Sequence, residues 1–313
     1  MARPDHVAMK LSIVSTLYNS EKTVAEFIER IGACASRGFE SYEIVLVDDG
    51  SKDGTMVAAT DLLRKHRHIR LLELSRNFGH HRAMMTGLMA AVGDLVFLID
   101  SDLDEPPELL DEFRQVMERS SADVVYGYQQ DRKGKLIERV GGRFAWFLID
   151  AVSEIKIPRN LSTVRLMRRT YVDALVQHRE QKTAIGGLWA MTGFRQVGCV
   201  IRKKMREETT YTLRRRAIAL LDSLTSFSER PLYFVFLLGV GIFLLSTVVA
   251  LTLIVWRLSG TVLEGWVSIL VSLWLLGGLI TLCVGVVGLY ISRIFIETKA
   301  RPYSIVRSEQ SSD

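Results

Sequence analysis

Residues 94–110 read DLVFLIDSDLDEPPELL, a stretch that falls into three physically distinct pieces. The apolar run LVFLI is short, continuous and rich in β-formers, as a strand between covering layers requires. Next come Asp100, Asp102, Asp104 and Glu105, a dense group of acids in what must be a turn. Pro106 and Pro107 then open a helix, since proline loses nothing where first-turn amides lack helical acceptors.

The same alternation extends outward in both directions. LSIVSTLY, YEIVLVDD and IRLLELS upstream, and ADVVYGY downstream, complete a set of strand candidates with helix-period segments between them. The first helix begins after Asn19 or Ser20, either of which can cap it, and places Val24, Phe27, Ile28 and Ile31 on one face. Apolar strands separated by amphipathic helices predict an α/β fold with a Rossmann-like, mostly parallel sheet covered on both faces. In such sheets ligands gather at the carboxyl ends of the strands. TLYNS, VDDGSKDGT, SRNFGHH and DSDLDEPP, the polar segments, all fall at those ends, so four loops are expected to form one site.

The residue types suggest what the site holds. Side-by-side carboxylates can bridge to a diphosphate only through a hard divalent cation, so the DSD turn implies Mg²⁺ or Mn²⁺. In VDDGSKDGT, Asp48 and Asp49 can accept hydrogen bonds from a nucleobase imide or ribose hydroxyls, with Ser51 beside them; an Asx turn capping the next helix is the competing reading. Arg76, Asn77 and Gly79 can meet a diphosphate or a sugar. His80 and His81 are adjacent, so their side chains diverge, and their spacing is not that of a metal site.

The carboxyl-terminal third has another character. Residues 232–256 and 266–292 are uncharged and apolar, long enough at about 1.5 Å per residue to cross a bilayer core, which predicts two transmembrane helices. Arg214, Arg215, Arg216 and Arg230 precede the first span, and Arg293, Lys299, Arg301 and Arg307 follow the second, so both termini are expected on the cytoplasmic side of the inner membrane. Small residues in the spans suit packing into a homo-oligomer. Residues 129–160 and 200–231 mix basic and apolar side chains as interfacial helices do, and the serine-rich end after Val306 reads as a disordered tail. The net charge of +5 is crowded near these segments, which favours anionic headgroups and gives no sign of a nucleic-acid partner. Cys34, Cys199 and Cys283 have neither metal nor redox spacing, which excludes a disulfide scaffold.

Taken together, YNSE, VDDGSKDGT, SRNFG and DSDLDEPPELL resemble the family 2 inverting glycosyltransferases of GT-A fold. With SFSERPL before the first span and GLYISRIFIETKARPYSIV through and beyond the second, the chain is similar to the polyisoprenyl-phosphate subgroup. The resemblance implies transfer of a sugar from a UDP-like nucleotide-sugar donor to a polyprenyl phosphate at the cytoplasmic face of the bilayer. It divides the chain into an extension (1–10), a GT-A catalytic domain (11–200), an interface segment (201–231), a two-helix hairpin (232–292) and a cytoplasmic tail (293–313). By motif, Tyr18, Asn19 and Asp49 hold the nucleoside, while Asp100, Asp102 and Asp104 organise metal and diphosphate as the catalytic group. Arg132, Arg139, Arg143, Lys204 and Arg206, with Tyr211, are the candidates for the acceptor phosphate. The chain departs from the pattern at Ser20, Asp104, Glu105, Gln129, Thr163 and Thr210, positions around sugar and acceptor, so another membrane glycolipid or a lipid-linked glycan is the alternative acceptor, and a catalytically inactive membrane scaffold is the third reading.

Overall fold

The computed structural model describes residues 9–129, 161–178, 180, 185–201, 230–259 and 265–312. The chain forms two compact units, one comprising Met1–Lys135, Ile157–Thr210 and Arg301–Asp313, the other Leu136–Lys156 and Tyr211–Ala300.

The first unit is built on an eight-stranded sheet. Its strands are β1 (Lys10–Leu17), β2 (Ser41–Asp48), β3 (Ile69–Leu74), β4 (Leu95–Leu98), β5 (Val124–Tyr128), β6 (Leu161–Arg168), β7 (Gln196–Val200) and β8 (Val306–Ser311). Among the described residues its helices are α1 (Val24–Gly38), α2 (Thr55–Lys65), α3 (His80–Ala90), α4 (Leu109–Ser120), α5 (Arg169–Leu175) and α6 (Ile185–Met191). The sheet runs in the order β7-β5-β6-β4-β1-β2-β3-β8. Strands β4, β1, β2 and β3 are mutually parallel, as expected, but β6 pairs antiparallel with β4 and β5, and β8 pairs antiparallel with β3. The sheet is therefore mixed, and parallel chiefly where the site lies.

Both faces are covered. On one, Val24, Phe27, Ile28 and Ile31 of α1 are buried as their spacing predicts, and Phe97 meets Phe113 of α4 edge to face at 6.2 Å. Each such side chain contributes about 1.5–3 kcal/mol on burial. On the other, Met84, Met85 and Leu88 of α3 pack with Tyr171, Leu175 and Trp189 over Val14, Val47 and Val96. Helix α1 starts later than expected: the Thr23 and Val24 amides donate to the Ser20 carbonyl, while the Ser20 hydroxyl accepts from the Tyr18 amide and caps no helix.

The carboxyl terminus overturns the expectation of a disordered tail. Residues Val306–Ser311 form β8, which covers the outer edge of β3. Arg307 donates to Glu73 at 2.7 Å and to the Ser75 carbonyl at 2.9 Å, and Arg70 reaches Glu309 at 2.8 Å. The segment just before the strand is anchored too, by a 2.7 Å hydrogen bond between Ser304 and Thr86.

In the second unit two long helices stand where the two spans are expected, α7 (Arg230–Leu258) and α8 (Trp266–Thr298). Among the described residues one stretch, Leu276–Thr298, is long and apolar enough to cross a membrane by length and composition, where the sequence suggested two. Its Ile280, Leu282, Val284, Ile291 and Ile294 are exposed within the chain.

Candidate active site

The four polar loops do meet, and hydrogen bonds knit each to the others. The Asn19 amide donates to Ser51 Oγ at 3.0 Å and Asn19 Oδ1 accepts from the Lys52 amide at 3.0 Å, joining the loops after β1 and β2. Asn19 adopts a left-handed backbone, φ 53°, to present both groups. Asp49 joins the loops after β2 and β3, accepting from the Phe78 amide at 2.7 Å and the Gly79 amide at 3.0 Å. Gly50 makes that approach possible: its φ is +69°, and a Cβ there would lie 2.6 Å from the Asn77 nitrogen. Ser101, buried between Asp100 and Asp102, donates to the Thr16 carbonyl at 2.9 Å and so ties the β4 loop to the end of β1.

The acids then separate into two kinds. Asp48 is 1% exposed, with Oδ1 accepting from the Ser51 hydroxyl and Oδ2 from the Ser51 amide, so it closes its own loop, while the Asx turn before α2 belongs to Asp53, which accepts from the Thr55 amide at 3.1 Å. Asp49 is 2% exposed; burial lifts its carboxyl above the usual range, against the downward pull of the Phe78 and Gly79 amides. Glu105 is also buried and accepts from the Ser162 hydroxyl on β6, which makes it a strut between the β4 loop and β6. Asp100, Asp102 and Asp104 stay partly exposed. Asp102 Oδ1 accepts from the Asp104 amide at 3.1 Å, and between them Leu103 is held at φ 61°, a costly conformation for a branched residue.

Among the described residues no three His, Cys, Asp or Glu side chains gather into a group that could hold a metal. Asp100, Asp102 and Asp104 thus do not form one closed ligand set. The donors still fit a cation carried by substrate, because Mg²⁺ takes one or two protein carboxylates and completes its octahedron with water and phosphate oxygens. Hard carboxylate oxygens at a strand end are the correct donor type for it.

Other predicted residues fall as follows. Tyr18 is 48% exposed at the end of β1, and Arg76 stacks over Phe78 at 4.1 Å while donating to the Asn77 carbonyl. Thr163 lies on β6, two residues before Arg165, a fully buried guanidinium 3.1 Å from the Trp189 ring centroid whose pKa burial pushes down to about 9. Gln129 ends the described segment after β5. Arg132, Arg139, Arg143, Lys204, Arg206, Thr210 and Tyr211 lie outside the described residues, as do most of 129–160 and 200–231. Sequence reasoning missed Thr16, Ser101 and Leu103, which carry no motif of their own, and it set His80 aside. His80 in fact faces the site, 3.5 Å from Asp100.

A parallel α/β core whose strand-end loops are acidic and joined in this way defines a class, and residues 12–176 match the glycosyl transferase family 2 profile. The chain belongs to that family and is a transferase acting on a nucleotide-sugar donor. A glycosyltransferase of Mycobacterium tuberculosis is 46% identical over 306 residues, covering 97% of this chain and 90% of that protein. A prophage bactoprenol glucosyl transferase homologue of Escherichia coli is 30% identical over 310 residues, covering 96% of this chain and 99% of the relative. Of solved structures, mannosyl-3-phosphoglycerate synthase from Rubrobacter xylanophilus aligns with a TM-score of 0.48 at 20% identity, over 69% of this chain and 72% of that one.

Proposed function

We propose that this chain catalyses metal-dependent, inverting transfer of a sugar from a UDP-like donor to a polyprenyl phosphate at the cytoplasmic face of a membrane. The observation that carries the donor half is the joining of the Asp49 and Asp100 loops through the start of α3 at one sheet edge. The acceptor half is supported by the bactoprenol-directed name of the Escherichia coli relative, similar over nearly its whole length, and by the exposed apolar stretch Leu276–Thr298. A second crossing by α7, cytoplasmic termini and association of copies through the helices complete the proposal.

The chemistry asks little of a general base. A phosphate monoester has its second pKa near 6, so the acceptor is already a dianion able to attack the anomeric carbon. The chain's work is alignment. Tyr18, Asn19 and Asp49 hold the nucleoside, Ser51 keeps that loop closed, and Arg76, Asn77 and Gly79 border the diphosphate. Asp100 and Asp102, with Asp104 beside them, hold Mg²⁺ or Mn²⁺, which when bound offsets the charge of the departing diphosphate. Arg132, Arg139, Arg143, Lys204, Arg206 and Tyr211 are assigned to the acceptor phosphate, since guanidinium and ammonium groups match its charge.

The test is incubation of the purified full chain with radiolabelled nucleotide sugars, Mn²⁺ and polyprenyl phosphate. Label entering the lipid phase is the expected outcome. Label transferred to a hydroxyl-bearing glycolipid but never to the phosphate would move the acceptor to the alternative class, which demands a true base.

A further inference from the structure

One side chain that sequence reasoning discarded touches two of the strand ends that carry the site's loops. Thr16 Oγ1, at the end of β1, lies 3.1 Å from His80 Nδ1, and Asp100 Oδ1, beyond β4, lies 3.5 Å from His80 Nε2. Each ring nitrogen therefore faces a polar side chain, Nδ1 at hydrogen-bond distance and Nε2 in a longer contact. The backbone entering His80 is also fixed, because Asp49 binds the Phe78 and Gly79 amides and Gly79 turns at φ +98°, a conformation that favours glycine. Thr16 is held in turn: it pairs with Val47 in the β1–β2 register, and its carbonyl accepts from Ser101. His80, though 43% exposed at its side chain, thus sits on an anchored helix start between two anchored strand ends.

We propose that His80 is a positioning residue for Asp100. The Thr16 hydroxyl at Nδ1 holds the ring, and Nε2 against Oδ1 steadies the Asp100 carboxylate that meets the donor's cation. The chemical logic is that of any outer partner of a ligand: it removes rotational freedom from the carboxylate. Asp49 acts at one remove, since it sets the helix start that aims the ring. This role rests on the donor-site reading above.

Calorimetry on the detergent-solubilised full chain, with UDP, GDP and CDP each measured with and without Mn²⁺, tests it. His80→Ala should weaken Mn²⁺-dependent nucleotide binding about 10-fold or more, the size expected for loss of an outer partner, and leave metal-free binding of the same nucleotide unchanged. His80→Gln, whose amide can donate to Asp100, should recover most of the loss. Thr16→Val, which keeps the ring but removes its Nδ1 partner, should weaken binding less than His80→Ala, and in an Asp100→Asn background His80→Ala should have no further effect. Equal losses with and without Mn²⁺, failure of glutamine to rescue, or additivity with Asp100→Asn would overturn the role while leaving the donor site standing. A wild-type chain that binds no nucleotide in a Mn²⁺-dependent way would overturn the donor-site reading and His80's role together.

Discussion

Strand β2 has a buried carboxylate near each end, and the fold treats the two in opposite ways. Near the amino end, Glu43 is 6% exposed; burial pushes its pKa up, but hydrogen bonds from the Ser12 hydroxyl, the Val92 amide and Arg70 outweigh it and hold the carboxyl below its usual range. Arg70 lies 3.3 Å away and passes the charge on to Glu309 of β8 at 2.8 Å. Just past the carboxyl end, the Phe78 and Gly79 amides and nearby His80 pull the Asp49 carboxyl down, but burial, helped by like-charged Asp48, prevails. One end neutralises its charge to stabilise the sheet. The other holds a charge at some cost, where strand-end loops bind ligands.

Substitutions at the two ends should therefore separate activity from stability. Asp100→Asn and Asp102→Asn are expected to lower sugar transfer by about 100-fold or more, roughly 3 kcal/mol of barrier, with the unfolding midpoint nearly unchanged. At the opposite end Arg70→Met should leave the Glu43 charge without its cation and cost about 3 kcal/mol in thermal unfolding, while nucleotide affinity persists. Asp49→Ala crosses the divide, because it leaves the half-buried Phe78 and Gly79 amides without their acceptor: a loss of about 1 kcal/mol should accompany weaker nucleotide binding.

The pH dependences should have opposite signs. Glu43, depressed in the folded chain, contributes stability that is fully present above its unfolded pKa of about 4.3 and is lost as pH falls through the folded value. The stability gap between wild type and Glu43→Gln should narrow with acid. Asp49 is raised in the folded chain, so its ionisation costs stability as pH climbs from its unfolded value of about 3.9 through the folded one, a slope absent from Asp49→Asn. Unfolding midpoints across this acid range report both. The smallest effect should come from removing residues 306–313: a loss of about 1 kcal/mol, or roughly 2–4 °C, with faster aggregation through the bared β3 edge.

Much of this molecule is legible in one dimension, because its periodicities are local. The apolar runs of β1 to β4, the buried stripe of Val24, Phe27, Ile28 and Ile31, and the four polar loops between them depend on side chains a few positions apart. Two long apolar helices were equally plain from composition. Strand β8 was not, because VRSEQS has no alternating apolar face and takes its conformation from the open edge of β3 and from Glu73 and Arg70. Nor could the acids be sorted. Asp48, Asp49, Asp100, Asp102, Asp104 and Glu105 are the same chemistry on paper, yet Ser51, the Phe78 amide and Ser162 claim some of them and leave others partly open. Burial of a charge depends on which groups arrive from distant strands, and that is decided only when the chain has closed on itself.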